Sequence, residues 1–146
     1  METINATETM KTITGTKGEL VTIINGLFGV QDLKGKKFSL IVSKNINILK
    51  DTLKELEEAG KPTKEFMAIA EKVNAIANEN KDNAKEEIEK IEKDNKKIVE
   101  ARRKQMAKVE EIMKEDATVD LHVIEEQTLP ADISASEINK IIKIIE

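Results

Sequence analysis

Arg102 and Arg103, the only arginines in the chain, stand beside Lys104, and Lys108 follows one helical turn later. A guanidinium presents a rigid fork of N–H donors that meets phosphate or carboxylate oxygens two at a time, whereas an ammonium acts as a point charge. Arg102, Arg103, Lys104 and Lys108 are therefore the candidate anion contacts. Copies gathered by oligomerisation would bring enough of them together to hold a nucleotide-type ligand. The competing reading is a solvated helix face, with Glu100 and Glu110 nearby to balance the charge.

Catalysis finds less to work with. The one imidazole, His122, falls two residues after Asp120 and so shares a face with it in an extended segment. No third group, nucleophile or water-binding pocket can be placed beside the pair, and His122 reads as structural or solvent-facing. There is no cysteine, which excludes disulfides, thiolate metal sites and cysteine nucleophiles. Carboxylates are abundant, but the E-x-x-H pairs of a di-metal bundle are absent, and so are the G-x-G-x-x-G and G-K-[ST] phosphate signatures. Gly35, inside L-K-G-K-K, reads as turn chemistry. The sequence thus predicts no catalytic residue, no metal site and no cofactor, and a protein that is not an enzyme.

The elements that must position these groups are mostly helical. The chain has 146 residues, a length expected to form a single domain. With 36% charged residues, 2% aromatic and no Trp or Tyr, the core must come from Ile, Leu, Val, Met and Ala, which suits helix packing. A net charge of -4, from 24 basic and 28 acidic residues, gives no overall cationic field to draw nucleic acid or an anionic membrane. The three Phe fall at apolar helix positions, leaving no stacking platform for single strands. Residues 1–14 lack the basic and apolar regions of a secretory signal, and no apolar run approaches the roughly 18–20 residues of a membrane helix. The expectation is a soluble intracellular protein.

In chain order, residues 1–9 read as a flexible or edge segment and Thr9 to Thr14 as a short strand. Thr16 and Glu19 form a T-x-x-E capping box that opens a helix carrying Leu20, Ile23, Ile24, Leu27 and Phe28, with Gly29 at its end. Phe38, Val42, Ile46, Leu49, Leu53 and Leu56 step through one amphipathic helix from Lys37 to Ala59. Gly60 and Pro62 stop it, and Thr63 can cap the next.

Residues 63–115 form the long helical stretch. Phe66, Ile69, Val73 and Ile76 follow a heptad, but the phase shifts between Asn80 and Ala84, as a stutter or as a turn at Asn78 to Asn83 between antiparallel helices. After Glu115 the period becomes two: Val119, Leu121 and Val123 share one face of a strand whose natural partner is Met10 to Thr14. Pro130 marks a turn, and Ser134 with Glu137 forms a capping box for a short terminal helix. Six isoleucines from Ile133 to Ile145 require cover from this chain's core or from a partner. The fold class is mainly α with a small β element (α+β). It comprises a long antiparallel helical hairpin or bundle, two short paired terminal strands and a short C-terminal helix.

The runs E-L-V-T-I-I-N-G-L, F-S-L-I-V-S-K-N, K-P-T-K-E-F, R-R-K-Q-M and V-D-L-H-V-I followed by L-P-A-D-I-S-A-S-E-I resemble a family of small uncharacterised proteins from tailed bacteriophages. The resemblance covers most of Met10 to Ile145 and is most specific in the strand, the Leu129-Pro130 corner and the capped final helix. Members of that family often carry a longer acidic, glycine-containing loop where this chain has only Asn78 to Asn83. The resemblance implies a phage origin and the cytoplasm of an infected bacterium, and no chemistry.

Heptads and an isoleucine-rich tail, without catalytic apparatus, predict a non-enzymatic protein that self-associates and works by binding; the resemblance implies that it is a phage protein acting on a host or phage protein, for instance as a host-defence antagonist. The alternatives are a protein that sequesters a nucleotide-type defence signal through Arg102, Arg103 and the neighbouring lysines, and a structural or assembly factor of the virion.

Overall fold

A computed structural model describes residues 9–79 and 82–146. The expected flexible or edge segment therefore lies, apart from Thr9, outside the described residues. The order is β1 (Met10–Thr16), α1 (Lys17–Val30), α2 (Lys36–Thr52), α3 (Lys54–Gly60), α4 (Lys64–Glu79), α5 (Ala84–Asp94), α6 (Lys96–Met113), β2 (Asp116–His122) and α7 (Ala135–Ile141), with 3-10 turns at Glu126–Thr128 and Ile142–Ile144. The architecture is mainly α with one two-stranded antiparallel sheet. No helix among the described residues is long and apolar enough to cross a membrane. The chain gathers into two compact units, one made of the described residues up to Glu55 together with Ile112–Glu146, the other of Leu56–Glu111.

In the first unit β1 and β2 pair from Met10↔His122 to Thr16↔Asp116 without a bulge. Ile13, Val119, Leu121 and Val123 are buried, the alternation read from the sequence. On the other face Thr12 Oγ1 donates to Asp120 Oδ1 at 2.6 Å, and the Thr14 and Thr118 hydroxyls meet at 3.3 Å. At the end of the ladder Lys17 Nζ lies 2.9 Å from Glu115 Oε1 and 3.9 Å from Glu55 Oε2. The hydrogen bond to Glu115 raises the Lys17 ammonium above its ordinary pKa.

α1 begins where Thr16 Oγ1 accepts from Glu19 N at 3.1 Å. Only this half of the expected capping box is made, because the Glu19 carboxylate turns to Lys143 Nζ at 3.3 Å. Nor does Gly29 end α1, which runs on to Val30, a fully buried residue. Leu20, Ile23, Ile24 and Leu27 form its buried stripe. α1 packs against α2 and α7. At Gly26 a Cβ would lie 2.7 Å from Lys140 Cβ and 3.0 Å from Ile141 Cγ2, so α7 crosses α1 where there is no side chain. Gly35, with φ 147, is the turn residue before α2.

α7 opens with the complete Ser134–Glu137 capping box, and Ile141 and Ile144 are fully buried. The C-terminal residues return alongside Ile124, just past β2, with Ile124 N donating to Ile144 O at 2.8 Å and Glu146 N to Ile124 O at 3.0 Å. The terminal isoleucines Ile141 and Ile144 thus find their cover inside this unit, while Ile142 stays exposed.

Two helices expected to be continuous are broken. The helix from Lys37 to Ala59 divides at Leu53, which leaves helical geometry (φ -98, ψ 11) while keeping its N–H on Leu49 O. The second arm of the long stretch divides at Asn95, whose side chain donates to Ile91 O at 2.8 Å and competes with the helix backbone. The joint expected near 78–84 falls between α4 and α5, with Asp82 and Asn83 in a turn; Asn80 lies outside the described residues. α4 and α5 pack on one another as a hairpin.

Candidate functional site

The helical hairpin of the second unit leaves its apolar seam partly unfilled. Phe66, Ile69, Ala70 and Val73 of α4 face Val99, Met106 and Ala107 of α6 across a groove of about 600 Å³. Of these, Ile69 is buried, while Phe66, Val73 and Val99 remain half-exposed and Met106 exposed. Arg102, Arg103, Glu92, Glu110 and Asn74 supply the polar parts of the lining.

The four candidate anion contacts separate. At about 100° per helical residue, Lys104 and Lys108 fall on the far side of α6 from Val99 and Met106, and they do not line the groove. Arg102 is held by its own unit. Its Nη1 donates to Gly60 O at 2.8 Å and to Gln105 Oε1 at 2.9 Å, and its guanidinium lies 5.2 Å from the centre of the Phe66 ring. Gln105 Nε2 in turn donates to Ala59 O at 2.9 Å and Lys61 O at 2.6 Å. Carbonyls at a helix C-terminus lack intrahelical partners, and Arg102 and Gln105 meet three successive ones at the end of α3. Arg102 therefore acts as a cap and a lid on Phe66 rather than as an open anion fork.

Arg103 is the exposed cation of the groove. Its surroundings are acidic: Glu92 and Glu110 share the groove, and Glu89 and Glu100 share with it a smaller hollow of about 260 Å³ that also holds Lys93 and Lys96. With Arg102 engaged, the carboxylates lining the groove outnumber its remaining cation. A polyphosphate entering there would meet more repulsion than attraction, whereas a surface carrying both signs of charge would find counterparts.

Asp120 and His122 lie at the end of β2. Asp120 accepts the Thr12 hydroxyl, and the backbone of His122 is clamped from α2. Asn45 Nδ2 donates to His122 O at 2.9 Å, and His122 N donates to Asn45 Oδ1 at 2.8 Å. Asn45, fully buried, thus meets both backbone groups that His122 turns away from β1. This residue was missed in the sequence. Its signal was its place three residues after Val42 and four before Leu49, on the apolar stripe of an otherwise regular helix. Gln105, Glu92 and Glu110 were likewise not singled out as site residues, since nothing in a charged helix marks which polar side chains will line a seam. Among the described residues no cluster of three His, Asp or Glu side chains could hold a metal.

Comparison with known proteins finds no matching family model, no similar curated protein and no similar solved structure.

Proposed function

We propose that this chain is a non-enzymatic, self-associating binding protein whose working surface is the groove of its helical hairpin, and that the occupant of the groove is an amphipathic helix of a partner protein. The observation that carries this reading is the groove itself: an apolar floor of Phe66, Ile69, Val73, Val99 and Met106 with Arg103, Glu92 and Glu110 beside it. An amphipathic helix presents an apolar stripe flanked by charges of both signs, which is the complement of such a lining. The sequence resemblance favours a partner among phage proteins or the proteins of an infected bacterium, where a host-defence component would be antagonised by occupying its helix.

The nucleotide-sequestering alternative retains Arg103 in its favour and the acidic neighbours against it. A photo-cross-linking amino acid at Met106, compared with one at Lys104, separates the readings when both proteins are expressed in the bacterial host. Protein adducts from position 106 and none from 104 are expected, with the cross-linked peptide mapping to an amphipathic helix. Absence of protein adducts from position 106, together with a thermal shift on adding cyclic nucleotides that is lost in Arg103→Ala, would replace the helix-binding reading with the nucleotide one.

A further inference from the structure

The two outer edges of the β1–β2 sheet are treated differently. Val123 N donates to Thr9 O at 2.7 Å and Lys17 N to Glu115 O at 2.9 Å, so the odd-numbered residues of β1 form the hydrogen-bonded pairs of the ladder. Met10, Thr12, Thr14 and Thr16 belong to the alternate pairs and turn their N–H and C=O groups away from β2. On the β2 side the corresponding groups of His122 are met by the buried side chain of Asn45. On the β1 side, among the described residues, the sheet has no further strand, and Met10, Thr12 and Thr14 are exposed. The edge also lacks the usual protections. It has no proline and no bulge, and its one charged residue is Lys11.

We propose that this edge pairs with the same edge of a second copy, antiparallel about a two-fold axis at Thr12, so that the dimer carries one continuous four-stranded sheet. The inference rests on the self-associating part of the proposed function and names the surface that performs it. A two-fold contact requires a surface complementary to itself, and an axis at Thr12 keeps the paired residues within 10–14, clear of Thr16, where the chain turns into α1. With Thr12 opposite Thr12, Met10 falls opposite Thr14 and Lys11 opposite Ile13. The residues brought into hydrogen-bonded pairing are then those whose backbone groups already point outward. Three such pairs exchange about six backbone hydrogen bonds. The strand's single cation meets no like charge across the axis, and the central pair is threonine on threonine, a favourable cross-strand neighbour.

A strand edge that accepted any extended peptide would also lie open, but an unrelated peptide would not place Thr12 opposite itself, and that is what the test reads. The chain has no cysteine, so Thr12→Cys introduces its one thiol. In a hydrogen-bonded antiparallel pair the two Cα atoms stand about 5.5 Å apart, within disulfide range. Under mild oxidation at tens of micromolar, Thr12→Cys is expected to convert mostly to a covalent dimer, while Lys104→Cys stays monomeric on a denaturing gel. Thr12→Pro removes an outward N–H without removing a bond of the β1–β2 ladder. It is expected to halve the mass seen by light scattering while leaving the far-ultraviolet circular dichroism unchanged. A wild-type monomer would overturn self-association altogether. A wild-type dimer that persists in folded Thr12→Pro, or whose Thr12→Cys form does not cross-link, would overturn this interface alone and leave the groove reading standing.

Discussion

The sheet-bearing unit and the helical hairpin use similar amphipathic helices, yet they bury them to different ends. In the first, Leu20, Leu27, Val30, Phe38, Leu49, Leu121, Ile124, Ile141 and Ile144 lie almost wholly out of water, and Asn45 is the one buried polar side chain among the described residues. In the second, Leu56, Ile69 and Val109 are the buried apolar residues among those described, and Phe66, Val73, Val99 and Met106 leave much of their surface exposed along a groove. Fully burying a large aliphatic side chain stabilises by about 1.5–3 kcal/mol. The first unit is therefore where stability resides, and the second leaves apolar surface exposed to water along its groove. Binding surfaces come from the weaker regions of a fold, because a seam that is fully packed has nothing left to offer a partner.

The largest effect expected from this contrast is on the core. Leu121→Ala should cost about 3–5 kcal/mol by urea denaturation, whereas Met106→Ala should stay within about 0.5 kcal/mol. Similar costs for the two would remove the contrast. Next comes Asn45→Ala, which strands the outward N–H and C=O of His122. A loss of about 2–3 kcal/mol and faster exchange of the His122 amide are expected, and a neutral result would mean that α2 does not secure that sheet edge.

Within the hairpin, Arg102→Lys keeps the charge but loses the Nη1 bonds to Gly60 O and Gln105 Oε1 and the plane over Phe66, at a cost of about 1 kcal/mol. Arg103→Lys should be silent in stability and visible in partner binding. The reverse pattern would make Arg102 the ligand contact.

The smallest effect is a pH dependence. Hydrogen bonds from the Ser134 backbone and side chain hold the Glu137 carboxyl below its ordinary pKa of 4.5. Its contribution is therefore present above that value and is lost as pH falls through the lower folded value. Glu137→Gln should flatten this acid limb in thermal melts recorded between pH 5 and pH 2.

Strand pairing was legible because Val119, Leu121 and Val123 alternate, and a sheet slipped by one residue would expose all three. The Ser134–Glu137 cap and the Lys61-Pro62-Thr63 break were legible because they are local, with Thr63 Oγ1 accepting from Phe66 N at 3.1 Å as its position suggested. The breaks at Leu53 and Asn95 were not, since neither carries glycine or proline and both keep the apolar period on either side. Gly29 was misleading because tertiary packing of Val30 outweighs the local cost of a helical glycine, roughly 1 kcal/mol. The candidate site was half legible. The arginine pair lies on the face of α6 that lines the groove, but the partners of Arg102, Gly60 and Phe66, stand far from it in sequence, and nothing local says that a guanidinium is already engaged.

Native-state hydrogen exchange of the intact chain tests the division of labour most directly. Amides of α1, α2 and β2 should exchange only through global unfolding. Those of α4, α5 and α6 up to Glu111 should open at lower free energy and gain protection when a partner occupies the groove. Equal opening free energies across both units, or protection on binding confined to the sheet-bearing unit, would contradict it.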